Sequence, residues 1–284
     1  MDVSLVSRTL LLAAALLLPP VISAQHTVKQ PRVVSINLCT DQMVMLLADP
    51  DQIIGLSRLS RDPAGSLFHE KAQDYRQVDP YAEELLPLAP DFVAAGPYTS
   101  RYTLNLLDEL GIPVEIFPIA NSIEEMLGNL ERMGQLLVRQ EQAESIADEV
   151  RQRLSTIKST VAAFKGTRPR AAVYDTNGYT VGHKTVRGQM MALSGWENVA
   201  IDHGIESYGV LGLEQLIALR PQALIESPYS EATYSRGQML TRHPAIRASG
   251  LNPLIIHVPS NQTICAGPWA VDVIQQLVNA RGSL

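Results

Sequence analysis

Three arginine side chains and several tyrosines stand near the points where apolar runs of this sequence end. Arg58 and Arg61 follow one such run, and Arg101 follows another. Tyr98 is close to Arg101 in the chain, and Tyr179 follows a third apolar run. A guanidinium donates through a planar fork that matches the oxygens of a hydroxamate, carboxylate or catecholate group. The pattern therefore indicates a site for an oxygen-rich chelate, although any single arginine of this kind is more often solvated surface charge.

Two cysteines, Cys39 and Cys265, lie 226 residues apart in opposite halves of the chain. Three interpretations remain open for them. They could be buried and unreactive thiols, they could form a disulfide between the two halves in an oxidising compartment, or their thiolates could bind a soft metal ion.

Six histidines are the residues that could bind a bare metal ion. His69, His183, His203 and His243 occur singly, and no two of them have the spacing that places two ligands on one face of a helix. Bare metal-ion binding is therefore a minor alternative.

Catalytic motifs are missing from the sequence. It has no Gly-x-Ser-x-Gly elbow, no phosphate loop of the Gly-Lys-Ser/Thr type, no His-Glu-x-x-His, and no Gly-x-Gly-x-x-Gly after its first apolar run. The segment DTNGYTVG, residues 175–182, resembles a phosphate-gripping loop only through two isolated glycines. A binding protein is the prediction, and a secreted hydrolase built on Asp41 or Asp175 is the remaining enzyme alternative.

A twelve-residue segment occurs twice. Residues 82–93, AEELLPLAPDFV, return in similar form at residues 213–224, LEQLIALRPQAL, and both copies keep a glutamate, Glu83 and Glu214. An acid at the start of a helix is favoured by the helix dipole, which explains each glutamate by itself. Its repetition favours a second interpretation, in which two similar lobes present a symmetric pair of carboxylates to a basic, two-fold partner.

Short apolar runs alternate with segments of helical periodicity on both sides of the chain's middle. Predicted strands are RVVSIN (32–37), IIGLS (53–57), DFVAAG (91–96), VEIF (114–117), AAVYDT (171–176), ALIES (223–227) and LIIHV (254–258). A helix capped by Thr40 or Asp41 follows the first strand, and the last helix runs from about Trp269 to Ala280. This alternation predicts α/β architecture with mainly parallel sheets.

The stretch from 122 to 164 has helical periodicity without a proline or a strand signal, and Ser122 with Glu125 forms a capping box at its start. One continuous helix of that length would extend on the order of 60 Å, which is too long for an ordinary crossover. We therefore predict an uninterrupted connecting helix between an N-terminal lobe at 32–120 and a C-terminal lobe at 168–284.

The first 24 residues predict a secretory signal peptide, because Arg8 precedes the apolar run Leu10 to Leu18 and small residues end at Ala24. The protein is therefore expected to be periplasmic, and soluble after cleavage near Ala24. Its formal net charge is −6, which argues against a nucleic-acid partner.

The order of signal peptide, α/β lobe, long helix and second α/β lobe resembles the periplasmic substrate-binding proteins of ABC importers, in the group that serves vitamin B12 and iron–siderophore complexes. Markers of the resemblance are RVVSIN, the repeated segment, and AGPWAVDVIQQL at 266–277. It implies two lobes with mainly parallel sheets joined by one long helix, a ligand cleft between them, and no cofactor apart from the captured chelate. It also implies a monomer that docks on an inner-membrane permease through Glu83 and Glu214, with Glu84 as an alternative for the first.

Ligands of open α/β sheets bind beyond the carboxyl ends of the strands, and the resemblance points to the same places. The expected ligand-binding residues are Cys39, Thr40, Arg58, Leu59, Arg61, Tyr98, Arg101, Asp175, Tyr179, Tyr208, Asn261 and Cys265. Several positions that are aromatic in the clefts of vitamin B12-binding proteins are not aromatic here, such as Leu59 and Asp175. The sequence therefore favours an iron–siderophore ligand, with cobalamin or haem as the alternative.

Overall fold

The computed structural model describes residues 29–229 and 238–284. The predicted signal peptide and its cleavage site near Ala24 lie outside these residues. In the part of the chain that is described, no helix combines the length and the apolar character that a membrane crossing requires.

The first lobe is built on a five-stranded parallel sheet with the strand order β3-β2-β1-β4-β5. Its strands are β1 (Val33–Ser35), β2 (Ile53–Ser57), β3 (Gln77–Val78), β4 (Phe92–Ala95) and β5 (Val114–Ile116). Its helices are α1 (Leu38–Leu47), α2 (Ala82–Leu85) and α3 (Arg101–Glu109).

Two helices follow this lobe, α4 (Ile123–Leu136) and α5 (Gln140–Ala162). The second lobe contains a four-stranded parallel sheet in the order β11-β10-β6-β8 and a separate antiparallel ribbon of β7 and β9. Its strands are β6 (Arg170–Val173), β7 (Tyr179–Val181), β8 (Glu197–Asn198), β9 (Tyr208–Val210), β10 (Ala223–Glu226) and β11 (Leu254–His257). Its helices are α6 (Val186–Leu193), α7 (Leu213–Leu219), α8 (Pro244–Ala248) and α9 (Ala270–Ala280). The prediction of two α/β lobes with mainly parallel sheets is confirmed.

Apolar side chains cover both faces of each sheet, as parallel strands require. In the first lobe, Val33 and Ala94 face a cluster with α1, while Val34 and Val93 face a cluster with α2 and α3. This packing fixes the sheets and leaves the carboxyl ends of their strands to carry the polar and aromatic residues.

Helix α1 begins earlier than the sequence predicted. Asn37, not Thr40 or Asp41, is the N-cap residue, and its side-chain oxygen accepts hydrogen bonds from the backbone N–H groups of Cys39 (3.0 Å) and Thr40 (3.4 Å). The helix therefore starts directly at the end of β1, which places Cys39 and Thr40 at the carboxyl edge of the sheet.

The repeated segment ends its helical part with the same left-handed residue conformation in both lobes. Ala89 is the C-cap of the helical turns in the first copy, with φ 45° and ψ 59°, and Arg220 is the C-cap in the second, with φ 49° and ψ 56°. Both are non-glycine residues in the left-handed region, and each precedes a proline and then a strand, β4 or β10. The sequence repeat is therefore a structural repeat, even at its strained positions.

The prediction of one uninterrupted helix over 122–164 is wrong. The segment divides at Val138, whose φ of 58° is incompatible with a continuing helix, and the Arg139 N–H donates to the Gly134 carbonyl at 2.7 Å. Gly134 also permits close packing across the turn, because a Cβ there would lie 2.5 Å from the Cβ of Ala143. Helix α5 can thus fold back against α4, and its 23 residues form the long connecting helix.

The pair of α4 and α5 belongs to the cores of both lobes. Met126 and Leu154 pack in the second lobe's core, and Met133 and Ala143 pack in the first lobe's core. Neither lobe can rotate freely against this pair without exposing buried apolar surface.

Cys39 and Cys265 form a disulfide, with their Cα atoms 5.3 Å apart. The bond joins the first turn of α1 to the loop between β11 and α9, and therefore links the two lobes covalently. The thiol and metal-ligand interpretations of the two cysteines are thus excluded for this structure.

Cys39→Ser/Cys265→Ser is expected to lower the free energy of unfolding by about 2–5 kcal/mol, since the bond closes a very long loop and so restricts the unfolded chain. The measurement is the urea midpoint of the oxidised protein and of the double variant. Equal midpoints would contradict a stabilising bond, and wild type in reducing buffer provides the control.

Asp41 is a fully buried acid on the first turn of α1. Its carboxylate accepts hydrogen bonds from the backbone N–H of Ser57 at 3.2 Å and from the Ser57 hydroxyl at 2.5 Å. Burial raises the pKa of Asp41 to about 7, while hydrogen bonds from Ser35 and Ser57 oppose the rise. The acid ties α1 to the end of β2, and its ionisation in the fold is costly.

The raised pKa of Asp41 predicts a pH-dependent stability. Because the folded protein holds this proton up to about pH 7 and the unfolded chain releases it near pH 4, Asp41 should reduce stability as pH rises across this interval. Asp41→Asn should therefore gain stability relative to wild type between pH 5 and pH 8, by on the order of a few kcal/mol. Urea unfolding of wild type and Asp41→Asn at pH 5 and pH 8 measures the difference. An equal change in the free energy of unfolding of both proteins between the two pH values would contradict the prediction.

Candidate functional site

A cavity of about 480 Å³ lies between the lobes at the carboxyl ends of their strands. This is within the usual range for small-molecule pockets, roughly 300–1,000 Å³. The first lobe and α4 contribute Asn37, Cys39, Thr40, Met43, Tyr98, Phe117, Pro118, Ile119, Ala120 and Asn129. The second lobe contributes Asp175, Tyr179, Thr185, Val186, Arg187, Tyr208, Ser227, Tyr229, Ser260, Thr263, Ile264 and Ala266.

Half of the residues expected to bind the ligand line this cavity: Cys39, Thr40, Tyr98, Asp175, Tyr179 and Tyr208. Cys39 and Thr40 come from the start of α1, Tyr98 follows β4, Asp175 follows β6, and the other two tyrosines lie on the ribbon. Contact of these residues with a ligand stays a prediction.

The remaining expected residues do not line the cavity, and the arginine cluster in particular is not formed there. Arg58 makes a two-pronged ion pair with Asp79, at 2.5 and 2.9 Å, on the exposed surface. Arg61 donates to backbone carbonyls, including that of Tyr75 at 2.8 Å. Arg101 is exposed at the start of α3. The oxygen-rich chelate site inferred from these guanidinium groups is therefore not assembled.

Three further expected residues are also absent from the cavity wall. Leu59 is 54% exposed, Cys265 is buried in the disulfide, and the Asn261 amide donates to the Pro63 carbonyl at 3.0 Å. Asn261 and Cys265 nevertheless belong to the loop whose neighbouring residues Ser260 and Ala266 reach the cavity.

Four tyrosines line the cavity, one from the first lobe and three from the second. Tyr179 and Tyr208 stack with ring centroids 6.2 Å apart and planes 22° from parallel. Tyr98, from the first lobe, is 88% exposed, and the Tyr229 hydroxyl donates to the Asp62 carboxylate. Burial raises the pKa of Tyr179, and the hydrogen bond to Asp62 raises that of Tyr229, so both rings are neutral phenols at physiological pH.

An ion pair lies in the wall of the second lobe. The Arg187 Nη1 donates to Asp175 Oδ2 at 2.6 Å, and both side chains are 13% exposed. The other Asp175 oxygen accepts the Ser227 N–H at 2.7 Å, and Arg187 Nη2 donates to the Ser227 hydroxyl at 3.1 Å. Arg187 was not among the site residues expected from the sequence. The signal that could have identified it is its position at the start of a predicted helix that follows a predicted strand and turn.

Contacts between the lobes close one side of the cleft. Besides the disulfide and the Tyr229–Asp62 bond, the Ser260 hydroxyl donates to the Ala64 carbonyl at 2.6 Å. Leu38 and Trp269 pack together with Cys265 in a small apolar cluster that both lobes share. A ligand must therefore enter from elsewhere around the cavity.

The two repeat glutamates occupy matching, exposed positions. Glu83 is the second residue of α2 and Glu214 the second residue of α7. Glu84, the alternative for the first, is engaged locally because its carboxylate accepts the Asp79 N–H at 2.9 Å. In residues 29–229 and 238–284, no three His, Cys, Asp or Glu side chains come together as a metal-ion site needs.

Known proteins share both sequence and fold with this chain. The cobalamin-binding protein of Halobacterium salinarum is 26% identical over 256 residues, which are 88% of this chain and 69% of that protein. The periplasmic vitamin B12-binding protein of Vibrio cholerae has the same fold, with a TM-score of 0.66 at 19% identity over 88% of this chain and 96% of that one. A periplasmic haem-binding protein of Pseudomonas aeruginosa superposes with a TM-score of 0.67 at 20% identity, over 88% and 92% of the two chains.

The profile described as periplasmic binding protein matches residues 33–248, which include both copies of the repeated segment and most strands of both sheets. With two α/β lobes, an interlobe cavity and binding proteins as relatives, the chain is a binding protein rather than an enzyme. It belongs to the periplasmic binding protein family.

Proposed function

We propose that this protein captures a corrinoid-type metal chelate in its interlobe cavity and delivers it to the permease of an ABC importer. The observation that carries the proposal is that four tyrosines, Tyr98, Tyr179, Tyr208 and Tyr229, line a cavity to which both lobes contribute. Aromatic rings provide broad contact area for a large, flat ligand, and their hydroxyl groups provide hydrogen bonds at its edge.

The apolar part of the wall supports a flat ring system as the ligand. Phe117, Pro118 and Ile119 come from the segment that follows β5, and Val186 and Ile264 come from the second lobe. Tyr179 and Tyr208 present a stacked pair against which a conjugated macrocycle can pack. The loss of aromatic residues that sequence reasoning inferred at single positions is thus offset by tyrosines at other positions.

The charge of the cavity supports a ligand with a neutral rim. Among its described lining residues, Asp175 and Arg187 carry the formal charges, and they pair with each other. A corrin ring bears amide side chains, whereas haem bears two carboxylates that would meet no surplus positive charge here. The siderophore alternative loses its main support, because Arg58, Arg61 and Arg101 are directed to other partners or to solvent.

Relatives that bind a metal chelate of this size support the proposal. The Halobacterium salinarum protein, 26% identical, is a cobalamin-binding protein, and the similar folds include vitamin B12-binding and haem-binding proteins. The predicted signal peptide fits capture in the periplasm, and the exposed Glu83 and Glu214 fit docking on a two-fold permease.

The ligand class is testable by titration of the protein without its first 24 residues. We expect cyanocobalamin to bind and to raise the melting temperature, and haemin, a ferric hydroxamate siderophore and divalent metal ions to bind more weakly or not at all. Tyr208→Ala should weaken cyanocobalamin binding about tenfold or more, because it removes a large part of the ring contact.

Tyr81→Ala is the matched control, since Tyr81 is 60% exposed and does not line the cavity. Preference for haemin or for the siderophore over cyanocobalamin would replace the corrinoid assignment with that ligand. Chemical turnover of the bound compound would contradict the binding function itself.

The docking role of the repeat glutamates is testable in a transport assay. Glu83→Lys or Glu214→Lys should reduce ligand uptake by cells strongly, because each reversal places a positive charge against a basic permease surface. Ligand affinity in solution should remain within about twofold of wild type. Glu149→Lys, an exposed acid on α5, is the control for charge reversal elsewhere. Uptake equal to wild type in both variants, or a matching loss of affinity, would rule the docking role out.

A further inference from the structure

We infer that Arg187 hydrogen-bonds an oxygen acceptor on the rim of the ligand, and that Asp175 is its positioning residue and sets the charge preference of the cavity. This inference rests on the proposed function and identifies the side chain that recognises the polar groups at the edge of the ligand. It also gives Asp175 a different task from the direct ligand contact that its place in the sequence suggested.

The Asp175 carboxylate is already satisfied within the protein. One oxygen accepts the Ser227 N–H at 2.7 Å and the other accepts Arg187 Nη1 at 2.6 Å. The side chain is only 13% exposed. A ligand would therefore meet a carboxylate whose best-placed lone pairs are in use, which favours an orienting role over direct contact.

Arg187, by contrast, has donors to spare. A guanidinium carries five N–H donors, and two of them are used, one on Asp175 and one on the Ser227 hydroxyl at 3.1 Å. The other three have no hydrogen-bond partner among residues 29–229 and 238–284, and the side chain lines the cavity. They can bind a carbonyl or a carboxylate oxygen of the ligand, the two acceptors that a tetrapyrrole rim offers.

The backbone under Arg187 is rigid, which makes it a suitable recognition group. Thr185 caps α6 by accepting the Gly188 N–H at 3.1 Å and donates to the Gly182 carbonyl at 2.9 Å. Gly188 allows this close approach, because a Cβ there would lie 2.0 Å from the Gly182 carbonyl oxygen. Arg187 is the second residue of this helix, so its Cα position is fixed relative to the cavity wall.

Because the pair is neutral as a whole, the charge preference of the cavity depends on the balance between the two residues. Asp175→Asn would leave the Arg187 charge unbalanced and should favour a ligand with a carboxylate at its rim. Arg187→Gln would leave the Asp175 charge unbalanced and should disfavour that ligand most. The two variants should therefore change ligand preference in opposite directions.

The test uses pairs of ligands that differ only in rim charge. These are cyanocobalamin against its monocarboxylic derivative, in which one side-chain amide is hydrolysed, and haemin against its dimethyl ester. Affinities are measured by titration for wild type, Asp175→Asn, Arg187→Gln and the double variant. We expect the acid-to-neutral affinity ratio to rise about tenfold in Asp175→Asn and to fall about tenfold in Arg187→Gln. The double variant, which is neutral again, should return to the wild-type ratio while binding both ligands more weakly.

Arg153→Gln is the matched control, because Arg153 pairs with Asp272 between α5 and α9, outside the cavity. Thermal melting of each variant confirms that it folds, and Arg187→Lys keeps the charge if Arg187→Gln does not fold. A purely structural role would weaken all ligands by one factor and leave the ratio unchanged, which would overturn the inference. Failure of wild type to bind any of the four ligands would instead refute the proposed function.

Discussion

The structure depends on one packing constraint, which is that α4 and α5 are part of the hydrophobic cores of both lobes. Met126 and Leu154 lie in one core, and Met133 and Ala143 lie in the other, so the pair cannot be displaced from either lobe without exposing apolar surface to water. A flexible linker would leave the cleft without a defined width. Here the cleft is a fixed feature of the fold, and its walls can be built before any ligand arrives.

The fixed cleft explains why its wall can use residues from many distant places in the chain. Tyr98, Asp175 and Ser227 each follow a strand of one of the parallel sheets, while Tyr208 lies on the separate ribbon. Asp175 and Ser227 are positioned by hydrogen bonds to Arg187 and to each other, and the helical pair positions the walls of the two lobes relative to each other. The matching left-handed residues Ala89 and Arg220 show that the lobes also share the geometry of the surface that carries Glu83 and Glu214.

The sequence was sufficient to predict the alternation of strands and helices, because buried parallel strands and amphipathic helices have distinct apolar periods. It was not sufficient at Val138, since a left-handed residue without glycine or proline leaves no mark on that periodicity. The sequence correctly predicted Arg58 at the end of a strand, but the prediction that it lines the cavity is wrong. The side chain turns instead to Asp79, which lies 21 residues later in the chain. Arg187 was missed for the converse reason, since its partners Asp175 and Ser227 are brought together only by the sheet.

The disulfide between Cys39 and Cys265 restricts how a bound ligand can be released. In a hinged binding protein, docking on a transporter can release the ligand by rotating the two lobes apart. Here the disulfide holds the Cα atoms of Cys39 and Cys265 5.3 Å apart at one rim of the cleft. The two lobes therefore cannot separate at that rim. For the delivery to a permease proposed above, the ligand therefore has to leave through other parts of the wall, and the two-stranded ribbon on that wall ends just before the helix bearing Glu214.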